Sequence, residues 1–261
     1  MIIRSPDTDV AIIALSLLDN LPCPVFFMAG KSRKSHMIDL LRVASSLNVS
    51  PQCLVGLHTF TGCDSTSSFY GKGKKKCLKL VEEHPEFQHV FTSLGSSFQV
   101  EEEMLSCLEK FVCLLYGQDV QSVDEARYKL FCSSPTTEQS LPPTRDALIQ
   151  HIKRCNYQTA IHRRALQQNM NVPSPHGHGW TIEDGELCIT WMTRQPAPSV
   201  LVECISCACK VKKGRCSCLA AELPCTDLCK CKDCSNFKDD DVVSVSGTPN
   251  ECEDDFYDES L

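Results

Sequence analysis

Residues 58–80 read HTFTGCDSTSSFYGKGKKKCLKL. An apolar run beginning near Gln52 ends at Phe60, the turn Gly62-Cys63-Asp64 follows, and Gly71-Lys72-Gly73 leads into a second run that carries Lys74, Lys75, Lys76 and Lys79. Glycine punctuates helices at both ends, so the stretch predicts a helix over 52–60, a loop, and a second helix over 74–83. Amide groups at a glycine-opened helix start are unobstructed and favour anions, and lysines beside them hold a phosphate backbone without reading bases. Gly71, Lys72, Gly73, Lys74, Lys75 and Lys76 are therefore the candidate nucleic-acid contacts of this stretch, against the plainer role of a solvated lysine face.

Upstream, Ile2 and Ile3 form a strand end, and Ser5-Pro6-Asp7-Thr8-Asp9 is the turn into a helix with Val10, Ile13, Ala14, Leu17 and Leu18 at helical spacing. Pro22 and Pro24 stop that helix, Val25–Met28 reads as a buried strand, and His36–Leu47 carries apolar residues at helical intervals. The order β-α-β-α predicts a parallel sheet. Asp7 and Asp9 stand where a strand hands over to a helix, the usual ligand position of an open sheet. Two carboxylates two residues apart in a turn can share a magnesium or manganese ion, and the plainer role is capping the helix.

Downstream, Glu101–Tyr116 and Val123–Phe131 are helical, with Met104, Leu105, Leu108, Phe111, Val112 and Leu115 as a packing stripe. Ser133–Pro143 reads as a linker. Thr144 then caps a long helix running to about Asn169, in which Arg145, Lys153, Arg154, Arg163 and Arg164 face Asp146 alone. A short hairpin pairs Trp180–Ile182 with Leu187–Met192 across Glu183-Asp184-Gly185-Glu186. His176 and His178 flank Gly177 and read as a surface turn.

The net charge of −7 understates the basic character of the body, because nine acidic side chains lie in residues 238–261 and leave 25 basic against 24 acidic over 1–237. An anionic partner is compatible with that balance. No apolar run approaches the ~20 residues of a membrane span, and Arg4, Asp7 and Asp9 interrupt any signal-peptide pattern. The expectation is a soluble intracellular protein.

Nine of the 19 cysteines crowd into CISCACKVKKGRCSCLAAELPCTDLCKCKDC: Cys204, Cys207, Cys209, Cys216, Cys218, Cys225, Cys229, Cys231 and Cys234. Cys-x-Cys neighbours pair poorly as disulfides and suit a shared metal. Nine thiolates match about three tetrahedral zinc ions, six cysteines terminal and three bridging. A segment this small has little apolar core, so zinc would supply most of its folding energy. Lys212, Lys213 and Arg215, between the first and second cysteine pairs, add a candidate phosphate contact.

The combination of Ser-Pro-Asp-Thr-Asp at a strand end, a helix ending in Gly-Cys-Asp, and Gly-x-Gly-x-Lys opening a helix resembles the second half of the flap-endonuclease/XPG branch of PIN-like nucleases, over about residues 2–90. The resemblance implies that Asp7, Asp9 and Asp64 are ligands of a divalent-metal phosphodiesterase site and that Gly71 and Gly73 belong to a helix-hairpin-helix gripping duplex phosphates. That family's other acidic ligands lie upstream of these motifs, so the expectation is a truncated or degenerate nuclease-like domain that does not hydrolyse as it stands. The cysteine segment resembles the tesmin-like CXC domain of DNA-binding and chromatin proteins from Cys216 onward. It departs where that family has a further cysteine, at Val211–Gly214, and a tyrosine, at Arg215.

The expected architecture is thus an α/β partial PIN-like domain over 1–132, with a parallel sheet, helices and a helix-hairpin-helix. A linker, basic helix and short hairpin follow over 133–199, then a CXC-type zinc module over 200–237 and an acidic disordered tail over 238–261. The expected function is zinc binding with nucleic-acid interaction, DNA foremost, in the nucleus. The alternatives are an active structure-specific nuclease and a zinc-stabilised protein-interaction scaffold.

Overall fold

The computed structural model describes residues 1–30, 36–133 and 137–195, together with Cys207, residues 216–220, Cys225, residues 229–231 and Asn236. Two compact units divide the chain, Met1–Arg194 and Gln195–Leu261. In the first, β1 (Ile2–Arg4) runs parallel to β2 (Phe26–Ala29) with Ile3 opposite Phe27, and the crossover between them is α1 (Thr8–Ser16).

A third strand extends the parallel β1–β2 pair in the antiparallel sense, where the sequence pattern predicts only helix. β3 (His36–Asp39) pairs antiparallel to β2, Ile38 opposite Phe27, and the helix expected from His36 begins only at Leu40 as α2 (Leu40–Ser46). Asp39 sets that start: its Oδ1 accepts from the amides of Leu41 and Arg42 at 3.0 and 3.3 Å. An N-cap residue keeps extended backbone itself, so Asp39 ends a strand and opens a helix at once. Ala14, Leu15, Val25, Phe27 and Leu40 form the small core under this sheet.

The larger core is helical. It gathers α3 (Pro51–Phe60), α4 (Lys74–Glu83), α5 (Pro85–Ser93), α6 (Glu102–Leu115), α7 (Val123–Ser133) and α8 (Arg145–Arg163). Phe60 lies at its centre, edge-on to Phe91 and Phe111 with ring centroids 5.4 and 5.8 Å away. Helices α3 and α5 approach so closely that a Cβ on Gly56 would overlap the Phe91 carbonyl oxygen. Gly56→Ala is therefore expected to destabilise the unit by about 2 kcal/mol despite alanine's better helix propensity, read as a lower urea midpoint.

Helix α8 also departs from expectation. It ends at Arg163, six residues before the expected Asn169, and its cations are drawn into the fold. Arg163 donates to the carbonyl oxygens of Leu94, Phe91, Thr92 and Gln52, and Arg164 to those of Gly95, Ser96 and Ala160. These are mostly the open carbonyls at the end of α5, which a guanidinium fork satisfies well. Arg145 pairs with Glu109 at 3.0 Å and Glu102 at 3.2 Å. Leu148, Ile152 and Cys155 of the same helix belong to the main core, so this element is structural rather than a free basic connector.

Beyond α8, β4 (Trp180–Glu183) and β5 (Glu186–Ile189) form a hairpin whose turn residues Asp184 and Gly185 have φ of 52° and 87°. Two successive positive φ values match the right-handed twist of the strands, and an Asp-Gly pair adopts them at low cost.

Candidate metal centre

In the second unit six cysteines converge. The Sγ atoms of Cys207, Cys216, Cys218 and Cys225 all lie within 4.8 Å of one another, and so do those of Cys207, Cys225, Cys229 and Cys231. Cys207 and Cys225 belong to both sets. Individual sulfur separations are 3.9 Å for Cys207–Cys225, 3.4 Å for Cys207–Cys231 and Cys216–Cys225, and 3.7 Å for Cys218–Cys229. A tetrahedral zinc with bonds of about 2.3 Å to sulfur places its ligand sulfurs about 3.8 Å apart, whereas a disulfide brings them to about 2.05 Å. The spacing therefore fits metal coordination and not cross-linking.

Local backbone explains why the thiols meet. Cys216 precedes a single helical turn, Ser217–Ala220, and the Leu219 amide beside its sulfur, with the neighbouring thiols, brings the Cys216 pKa down to about 7. Cys218 is pushed up to about 11 by desolvation and by the adjacent Cys229 and Cys207 sulfurs. A cation at the centre relieves the conflict between crowded thiolates, which is what a metal ion does for cysteine ligands. The Cys225 amide donates to the Asn236 carbonyl, the Lys230 amide to the Cys207 carbonyl, both at 2.9 Å, and the Asn236 side chain donates to the Cys225 sulfur at 3.4 Å. Donors to a ligating sulfur orient it and moderate its charge. Cys204, Cys209, Cys234, Lys212, Lys213, Arg215 and the acidic tail lie outside the described residues.

The aspartates of the first unit fall in two places, Asp7 and Asp9 at the start of α1 and Asp64 in the loop after α3. Asp7 is the N-cap of α1, its Oδ1 accepting from the Asp9 amide at 2.9 Å. Asp9 accepts a hydrogen bond of 2.6 Å from Nε2 of His58, a buried imidazole on α3. Burial, with the nearby Lys74 ammonium, lowers the His58 pKa against the raising effect of the Asp9 carboxylate. Asp64 is exposed in the loop after α3. Among the described residues, no three His, Cys, Asp or Glu ligand atoms within 4.8 Å of one another include Asp7, Asp9 or Asp64. His58 opens the quoted stretch, and a lone titratable residue in an apolar helix was the signal of a buried partner that the sequence reading passed over.

The lysine segment divides by role. Lys74 turns its ammonium back to the carbonyls of His58 and Gly62 and to the Thr61 hydroxyl, closing the C-terminus of α3. Lys72 lies 4.5 Å from the Tyr116 ring centroid. Gly73 is the N-cap of α4, Gly71 has φ of 66°, and neither glycine has an atom within 4 Å of where a Cβ would stand. Lys75 and Lys76 extend from the exposed first turn of α4.

No family model, no curated protein and no solved structure matches this chain. What stands is a mixed α/β unit with a small parallel-containing sheet and many helices, and a cysteine cluster able to hold a metal. Among the described residues no helix is long and apolar enough to cross a membrane.

Proposed function

We propose that this chain is a zinc-binding protein that contacts nucleic acid through charge, with a CXC-type module folded around zinc and a nuclease-like first unit that serves for binding. The observation that carries the zinc assignment is the pair of four-sulfur sets sharing Cys207 and Cys225. Two shared thiolates and four terminal ones satisfy two tetrahedral ions, and Cys204, Cys209 and Cys234 with one further shared thiolate complete a third. Thiolate ligands select zinc over the hard cations that carboxylates prefer. Support for nucleic acid is the open glycine-lined start of α4 with Lys75 and Lys76, and the basic run Lys212, Lys213 and Arg215. A nuclear location follows from that reading.

The deciding experiment is metal analysis of protein purified under reducing conditions, together with DNA binding across a salt series. About three zinc ions per chain are expected, and fewer than two overturns the assignment. Affinity for single-stranded DNA is expected to fall as salt rises, and K75A/K76A to flatten that dependence by about 1.4 in the log–log slope. Salt-independent or absent binding removes nucleic acid from the reading and leaves a zinc scaffold. Divalent-ion-dependent cleavage abolished by Asp64→Ala would instead make the first unit an enzyme.

A further inference from the structure

The loop Asp64–Ser67, helix α8 and the hairpin β4–β5 enclose a groove of about 560 Å³. This is within the range of small-ligand sites, roughly 300–1,000 Å³. One wall is apolar: Trp180 and Ile189 are paired across the hairpin, Leu187 lies on the same face, and Leu187 and Ile189 remain 54% and 41% exposed. The polar Asp64-Ser65-Thr66-Ser67 loop, Arg154, Tyr157 and Gln158 of α8, and Pro175 make up the rest of the lining.

Arg154 marks the groove as more than a surface depression. Its residue is 2% exposed, and its Nη1 donates to the carbonyls of Gly179 at 3.1 Å and Thr190 at 2.9 Å. Burial lowers its pKa, and no carboxylate among the described residues pairs with it. Its Nε and Nη2 have no hydrogen-bond partner among those residues, yet neither is sealed from solvent, because His162 Nδ1 is the one such fully buried atom there. A buried guanidinium held by two carbonyls, without a carboxylate partner and among the residues that line a groove, is a ready anion donor.

We infer that this groove takes one unpaired nucleotide, with its phosphate on Arg154, its base against Leu187 and Ile189, and its polar edge toward Asp64, Ser65 and Gln158. The inference rests on the nucleic-acid reading and deepens it, adding a preference for single strands. A base within a duplex cannot turn its face onto an aliphatic wall, whereas an unstacked base can.

Both tryptophans of the chain report on this place, since Trp180 lines the groove and the Arg154 guanidinium stands 5.5 Å from the Trp191 ring centroid. The full chain with its zinc is titrated with thymidine 5′-monophosphate, following tryptophan emission, with thymidine and inorganic phosphate as separate titrants. A saturable change is expected with the nucleotide and a much weaker response to either half. Arg154→Lys is expected to weaken it about tenfold, the loss of one charge-assisted hydrogen bond, and Leu187→Ser about fivefold. No saturable response, or an equal response to phosphate alone, overturns the inference. So does a response only to a short peptide with an apolar C-terminal residue and free carboxylate, which would make this a peptide site. Where salt-dependent binding of a long strand persists without the mononucleotide response, the inference fails and the proposed function stands. Should Arg154→Lys not fold, the wild-type titrations and the exposed Leu187→Ser variant decide.

Discussion

Replacing either shared cysteine, Cys207→Ser or Cys225→Ser, is expected to release at least two zinc ions per chain, whereas Cys218→Ser or Cys231→Ser releases one. The asymmetry follows from membership: Cys207 and Cys225 belong to both four-sulfur sets, while Cys218 and Cys231 each belong to one. A serine oxygen cannot bridge two zinc ions as a thiolate does, so each bridging variant leaves both ions a ligand short. The described cysteines of this unit pack chiefly against one another, forming a core cluster of six sulfurs with no larger apolar side chain among the buried described residues. Structural zinc in comparable peptides contributes about 10–16 kcal/mol of folding energy at neutral pH. A strong chelator should therefore unfold the second unit while α3–α8 of the first retain their helical signal. Native mass spectrometry counts the ions, and far-ultraviolet dichroism before and after chelation reads the folding. Equal loss from all four variants would mean that the two sets are not joined through shared thiolates.

The parts of this fold that could be read from sequence are those fixed over a few residues. The passage from α3 through Gly62 to Gly73 and α4 follows from periodicity and glycine, and the hairpin turn from Asp184-Gly185. The cysteine cluster was legible because cysteine spacing is itself the chemistry. Residues 36–39 were not, since Met37 and Ile38 suit a strand or a helix equally and the choice rests on pairing with β2. The partners of the basic residues in α8 were not legible for a related reason. Charge counting assigns a cation to solvent, but whether an arginine finds the open end of another helix depends on contacts nearly 70 residues away, as for Arg163 and Leu94. The Asp9–His58 bond spans 49 residues. No local pattern announces it.

Stability of the first unit is expected to fall by about 2 kcal/mol between pH 7 and pH 5, and His151→Gln to remove most of that slope. His151 lies on α8 between Phe60 and Phe69, each ring centroid 5.2 Å from its own, and its Nε2 donates to the Phe60 carbonyl at 2.9 Å. Desolvation is the main cause that lowers its pKa from 6.5 to about 4, with Arg154 adding a smaller push in the same direction. Folded protein thus keeps the ring neutral where the unfolded chain is protonated. Below about pH 6.5 the unfolded state gains a proton that the folded state refuses, so stability declines with falling pH and levels off below about pH 4. A displacement of that size corresponds to about 3 kcal/mol across the whole window. His58 and His162, also lowered chiefly by burial, act with the same sign. Glutamine keeps a donor for the Phe60 carbonyl and cannot titrate, which separates charge from shape. Urea unfolding followed by tryptophan emission reports the first unit alone, because Trp180 and Trp191 both lie within Met1–Arg194. If the variant kept the wild-type slope, proton uptake at His151 would not be what acid exploits, and His58 would be the next site to replace.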